Sequence, residues 1–134
     1  MPSLGRWALD ARSMLHLRYL VDDLKPRRVV EFGGGGSSTV WLAYLCERIG
    51  AQLTSIDHHP TFLERTRSML ERHGFGGKVD LRLGGELEEH TVGSDTYSWY
   101  AREAYADLDE VDLLFIDGPP STTGPWLVTP PHCL

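Results

Sequence analysis

What this chain has little of narrows its class before any motif is considered. Only two of its 134 residues are cysteine, Cys46 and Cys133. The first falls in an apolar helical pattern and the second next to the last residue, a usage that suggests reduced thiols in a cytoplasmic protein. Their pairing stays open. No apolar run approaches the roughly 18–20 residues that span a bilayer, and residues 1–10 lack the basic start and apolar core of a secretory signal. Positive charge is in deficit: 13 Lys and Arg against 19 Asp and Glu leave a net charge of −6. Such a chain has no general attraction to nucleic acid or an anionic membrane, so neither is expected as a partner. Internal repeats and low-complexity segments are absent too. What remains, with 41% hydrophobic and 24% charged residues, is the composition of a soluble globular chain. Its length makes one domain over 1–134, able to bury a core but short for an α/β enzyme.

The densest signal is residues 29–39, Val-Val-Glu-Phe-Gly-Gly-Gly-Gly-Ser-Ser-Thr. Two β-branched residues and an aromatic run into four glycines and then into three hydroxyl residues. That is the pattern of a buried strand, a turn without side chains and a capped helix start. Glycine lets backbone approach a ligand closely, and free N–H groups at a helix start favour a polar or anionic one.

Around this turn the pattern alternates. Residues 4–24 carry apolar side chains at helical spacing, with Ser3 as N-cap. Lys25-Pro26 ends that helix. Strands are expected at 28–32, 53–56 (ending on Asp57), 79–83 and 111–116, the last fully buried. Between them the spacing predicts a helix over 38–49 closed by Gly50, and one from Pro60 to His73 with Phe62, Leu63, Thr66, Met69 and Leu70 inward. Residues 84–97 look like a loop, followed by a helix through Ala106. The fold class that results is α/β, a Rossmann-like parallel sheet in the order 3-2-1-4 with flanking helices. After Asp117 comes an irregular Pro/Gly-rich tail, 118–134.

In such a sheet ligands bind beyond the carboxyl ends of the strands. Three acids fall on that edge: Glu31, Asp57 and Asp117. Asp57 lies 24 residues after Gly33, close to the spacing of an acid that bonds a ribose diol; capping the helix at Pro60 is the plainer alternative. A nicotinamide fingerprint needs a third glycine where Ser38 or Thr39 stands, which disfavours a dinucleotide. Glu31, two residues before the first glycine, suits a ligand with a cationic amino group. His58 and His59 beside Asp57 are adjacent on a short turn and unsupported by a helical histidine pair, so no metal is expected. Tyr97, Trp99 and Tyr100 fit core packing better than a substrate floor.

These residues carry a resemblance. Residues 29–39 resemble motif I of the class I S-adenosylmethionine-dependent methyltransferases, residues 53–57 their second acidic strand, 79–86 their third strand, and 112–120, Asp-Leu-Leu-Phe-Ile-Asp-Gly-Pro-Pro, their motif IV. The combination is most similar to the bacterial branch called methyltransferase family 24, over roughly residues 4–125. The resemblance implies a methyltransferase acting on a small-molecule acceptor with S-adenosylmethionine as cofactor. It implies that Glu31, Gly33, Gly34, Gly35 and Ser37 line the methionine end, that Asp57 holds the ribose, and that His58 lies by the adenine. The acid that meets the adenine amine falls on Gly85, leaving Glu86 to serve. Asp117 stands where some members have a catalytic or metal-binding acid; a turn cap is the other reading.

The resemblance gives way near residue 126, before the last strands of the full fold. The expectation is therefore a family member shortened at its C-terminus, with the 111–116 strand at an edge and a homo-oligomer covering it. A non-catalytic nucleotide-binding remnant is the second hypothesis, and a nicotinamide-dependent oxidoreductase the third.

Overall fold

The computed structural model describes residues 11–33 and 36–116. Asp117, Gly34, Gly35, the tail and Ser3 lie outside them. Four strands, β1 (Arg28–Phe32), β2 (Gln52–Asp57), β3 (Asp80–Leu83) and, further along, β6 (Leu113–Ile116), form one parallel sheet. Their order is β3-β2-β1-β6, as the sequence pattern predicts. Three helices alternate with them: α1 (Ala11–Leu24), α2 (Ser37–Ile49) and α3 (Pro60–Arg72).

Side chains alternate across the central strands because successive Cβ atoms point to opposite faces. Val29 and Leu53 join Leu17 and Val21 of α1, Val40, Leu42, Leu45 and Cys46 of α2, and Leu70 of α3 in one core. Val30, Phe32 and Ile56 point the other way, into a second core. At ~1.5–3 kcal/mol per fully buried large apolar side chain, these two layers are the main stabilising term.

Sequence and structure differ over residues 84–106. The expected loop is an antiparallel hairpin, β4 (Glu88–Val92) with β5 (Asp95–Trp99), and the expected helix is a single 3-10 turn, Arg102–Ala104. The aromatic residues explain both. Tyr97 and Trp99 alternate with Ser98 along β5, so both rings turn toward the sheet, where they are buried with Tyr100. Helical spacing would not put Tyr97 and Trp99 on one face. The hairpin thereby covers the face opposite the helices.

Smaller corrections follow the same logic of burial. Phe62 is 48% exposed, stacked on His59 (4.4 Å between centroids) and not inward. All four residues of β6 are half-buried, because β1 is its only partner strand among the described residues. Gly50 closes α2 in the left-handed region, as predicted. No described helix is long and apolar enough to cross a membrane.

Candidate functional site

The carboxyl ends of β1 and β2 and the start of α2 meet at the glycine turn. Gly33 continues the strand pairing, its N–H donating to the Ile56 carbonyl (2.8 Å), but with φ at +80° it turns the chain out of the sheet. Gly36 re-enters at φ +65° as the N-cap of α2. A Cβ there would sit 3.1 Å from Met69 Sδ, so the turn rests closely against α3, and its positive φ favours glycine.

The N-cap falls on glycine and not on one of the hydroxyl residues after the turn. Gly36 offers no side chain, and Ser38 and Thr39 turn inward. Thr39 Oγ1 donates to Glu31 Oε1 (2.6 Å) and Ser38 Oγ to Glu31 Oε2 (3.1 Å). Ser55, directly across the sheet from Glu31, donates to Oε1 at 2.8 Å. Glu31 itself has no exposed surface. A carboxylate is a pure acceptor, and hydroxyls from β2 and α2 fill much of its capacity. Cys46, buried in α2, has its thiol pushed up to about 12, first by burial and then by the negative Glu31. The thiol is inert at neutral pH.

Asp57 ends β2 on the same side of the sheet. Its Oδ1 accepts the His59 N–H (3.1 Å) and lies 3.6 Å from His58 Nδ1. It does not cap α3, whose N-cap is His59 with no side-chain bond. Both contacts use Oδ1, so Oδ2 has no partner among the described residues. The Asp57 carbonyl accepts the Gly84 N–H at 2.7 Å, which binds the turn after β3 to the end of β2. Gly85 follows at φ +69° facing open space, and Glu86 is exposed. The His58 ring meets Tyr100 edge-on at 6.1 Å.

The structure thus brings Gly33, Asp57, His58 and the Gly84–Glu86 turn to one edge, with Ser37 opening α2 beside them and Glu31 beneath. Ser38, Thr39 and Ser55, which the sequence pattern did not single out as partners of Glu31, belong to the same construction. The signal for Ser55 was its register opposite Glu31, visible only once the strands are paired. Tyr97, Trp99 and Tyr100 pack around Phe32 and the sheet, with Trp99 and Tyr100 each about 5 Å from the Phe32 ring. They are core.

A polar hollow of about 450 Å³ lies at the opposite, amino-terminal end of the strands, between Arg28, Thr54, Asp80, Arg82, Asp107 and Asp109. Its charges are paired: Arg82 holds Asp107 (2.6 Å) and Asp80 (2.9 Å), and Arg28 holds Asp109 (3.1 Å). It is a clamp on the 102–112 segment. No group of three or more metal-ligating side chains occurs among the described residues.

Comparison with known proteins converges on one class. A family model described as a methyltransferase domain matches residues 30–128. A catechol O-methyltransferase of Mycobacterium tuberculosis is 34% identical over 86 residues, 63% of this chain and 39% of that protein. Among solved structures, cofactor-bound Rv0187 from MTB superposes with a TM-score of 0.63 at 27% identity, covering 85% of this chain and 46% of its own. The O-methyltransferase TomG of Streptomyces achromogenes, in complex with SAM, gives 0.53 at 29% identity over 60% of this chain and 36% of its own. This chain spans less than half the length of each of these relatives.

Proposed function

The chain belongs to the methyltransferase-domain family whose model matches residues 30–128, and from that premise we propose that it is an S-adenosylmethionine-dependent methyltransferase acting on a small-molecule acceptor. The observation that carries this reading is the juxtaposition at the strand ends. A turn without side chains at Gly33 is bonded to Ile56, and the next residue, Asp57, keeps one carboxylate oxygen without a partner among the described residues. The residues fit the cofactor. Gly85 faces open space beside Asp57, as a bulky nucleoside requires. The N-cap of α2 is Gly36, which has no side chain to stand between the helix end and a ligand.

When bound, S-adenosylmethionine supplies a methyl group activated by its sulfonium. The protein's own work is to hold and orient. Asp57 accepts the ribose hydroxyls through Oδ2, His58 flanks the adenine, and Glu86 reaches its amine from the turn after β3. Gly33, Gly34, Gly35 and Ser37 line the methionine end, with Glu31 below them. Asp117, which follows the last residue of β6, takes the acceptor's proton. Cofactor-bound Rv0187 and the SAM complex of TomG support the cofactor assignment, and the O-methyltransferase names of TomG and the Mycobacterium relative support an acceptor hydroxyl. A cytoplasmic homo-oligomer completes the reading, supported by the half-buried apolar edge of β6. Neither the nicotinamide-dependent reading nor the non-catalytic remnant gains support from the relatives.

Calorimetric titration with S-adenosylhomocysteine, using NAD as control, tests the proposal. Binding of the first and not the second is expected. Absence of both heat and thermal stabilisation with S-adenosylhomocysteine overturns the reading. Asp57→Ala is expected to weaken binding by about 1.5–3 kcal/mol, the worth of hydrogen bonds to a charged group; unchanged affinity removes the ribose assignment.

A further inference from the structure

The resemblance assigns Glu31 to the ligand, but the geometry points to a different task. We infer that Glu31 is a positioning residue, a buried pin that sets the glycine turn and the first turn of α2 through Ser38, Thr39 and Ser55 without touching the cofactor. The inference rests on the cofactor reading above and deepens it.

Three observations carry it. Glu31 and Ser55 are both without exposed surface, so a ligand at the strand ends does not meet the carboxylate unless the turn moves. The three hydroxyl donors come from two different elements, at 2.6 and 3.1 Å from α2 and at 2.8 Å from β2. One side chain on β1 therefore ties the neighbouring strand to the helix that follows the turn. And Ser38 and Thr39 give their hydroxyls to Glu31 in place of the helix end. The first turn of α2 consequently faces the site with its backbone, held from behind.

The physical requirement is rigidity. Four consecutive glycines, Gly33 to Gly36, have the largest backbone entropy of any such run, and a turn that binds by its N–H groups works only if they are held in place. Burial of a carboxylate is costly unless every donor is in position, so loss of one hydroxyl is felt at both elements the pin joins.

The test uses variants remote from the ligand. Ser55→Ala removes a hydroxyl on β2; Thr39→Val removes one on α2 while keeping the shape, and Thr39→Ser keeps the hydroxyl. Two readouts are taken on the full chain: amide exchange at Val40, whose N–H bonds to Gly36, without ligand, and S-adenosylhomocysteine affinity. Ser55→Ala, Thr39→Val and Glu31→Gln are each expected to speed Val40 exchange and to weaken binding about tenfold, the scale of one hydrogen bond to a charged group. Thr39→Ser stays near wild type. Ser55→Ala combined with Glu31→Gln is no worse than Glu31→Gln alone, because both act through one group. The inference falls if Ser55→Ala leaves Val40 exchange unchanged, if the two effects add, or if Thr39→Ser is as damaging as Thr39→Val. It falls as well if Glu31→Gln weakens binding while Ser55→Ala and Thr39→Val do not, the result of direct ligand contact. Val40 exchange needs no ligand, so failure of S-adenosylhomocysteine to bind removes the functional reading and leaves the pin to be decided by exchange.

Discussion

Gly84 shows how one residue constrains this site. Its N–H holds the Asp57 carbonyl, and a Cβ on it would lie 2.9 Å from Tyr100 Cδ1 and 3.3 Å from Ile56 Cγ2. Tyr100 has no exposed surface and Ile56 belongs to the same core, so neither ring nor methyl can give way cheaply. Gly84→Ala is therefore expected to destabilise the fold by about 1–3 kcal/mol, the usual cost of overpacking, visible as a lowered Tm. An unchanged Tm would show that the turn after β3 can shift. Gly85, one residue on, faces open space and is constrained only by its positive φ. Two adjacent glycines thus have different reasons to be glycine. The same scale explains Glu31: its value lies in which hydroxyls surround it, and no feature of the residue alone reveals them.

At the scale of elements, the crossover from β3 to β6 decides how the second face of the sheet is covered. Residues 88–99 make a hairpin that buries Tyr97 and Trp99, and the segment after it is fastened at the far end of the sheet. Arg82 donates to Asp107 and to the Ala104 carbonyl, and Asp112 accepts the Arg27 and Arg28 N–H groups. The hydrogen bonds from Arg82 hold the Asp107 carboxyl below the usual carboxylate value, and the backbone N–H groups of Arg27 and Arg28 do the same for Asp112. Both groups are lowered on folding, so their contribution is present above the unfolded value near 4 and is lost as pH falls through the lower folded values. Melting followed from pH 7 to pH 3 is expected to show this loss below about pH 4. Asp107→Asn should lower the Tm at neutral pH and flatten the acid limb. An acid limb as steep as wild type would place the loss elsewhere. The clamp lies at the amino-terminal end of the strands, away from the glycine turn, so this variant should leave S-adenosylhomocysteine affinity as it was.

For the whole molecule, the open question is the β6 edge. β6 pairs with β1 and with no other described strand, and its Leu-Leu-Phe-Ile sequence is that of a strand covered on both sides. An unpaired edge is a template for another strand, from the same chain or from a second copy. We expect a homo-oligomer by light scattering at micromolar concentration, and a monomer would contradict it. The order of elements, the sheet order and the strand-end positions of Glu31 and Asp57 were legible in the sequence, because periodicity, glycine and proline act locally and the parallel pairing follows from alternation. The hairpin was not legible: glycine and charge over residues 84–95 look like loop, and only packing of Tyr97 and Trp99 against Phe32 makes strands of it. The inward turn of Ser38 and Thr39 was equally hidden, since a hydroxyl at a helix start caps the backbone unless a buried acceptor competes. That acceptor is created by register, which sets Ser55 opposite Glu31. By itself the sequence determined the family, the parallel α/β order and the sheet edge on which Glu31 and Asp57 stand. Tertiary structure alone decided what stands behind the glycine turn, because a buried carboxylate takes its meaning from donors that the fold brings to it from other strands and helices.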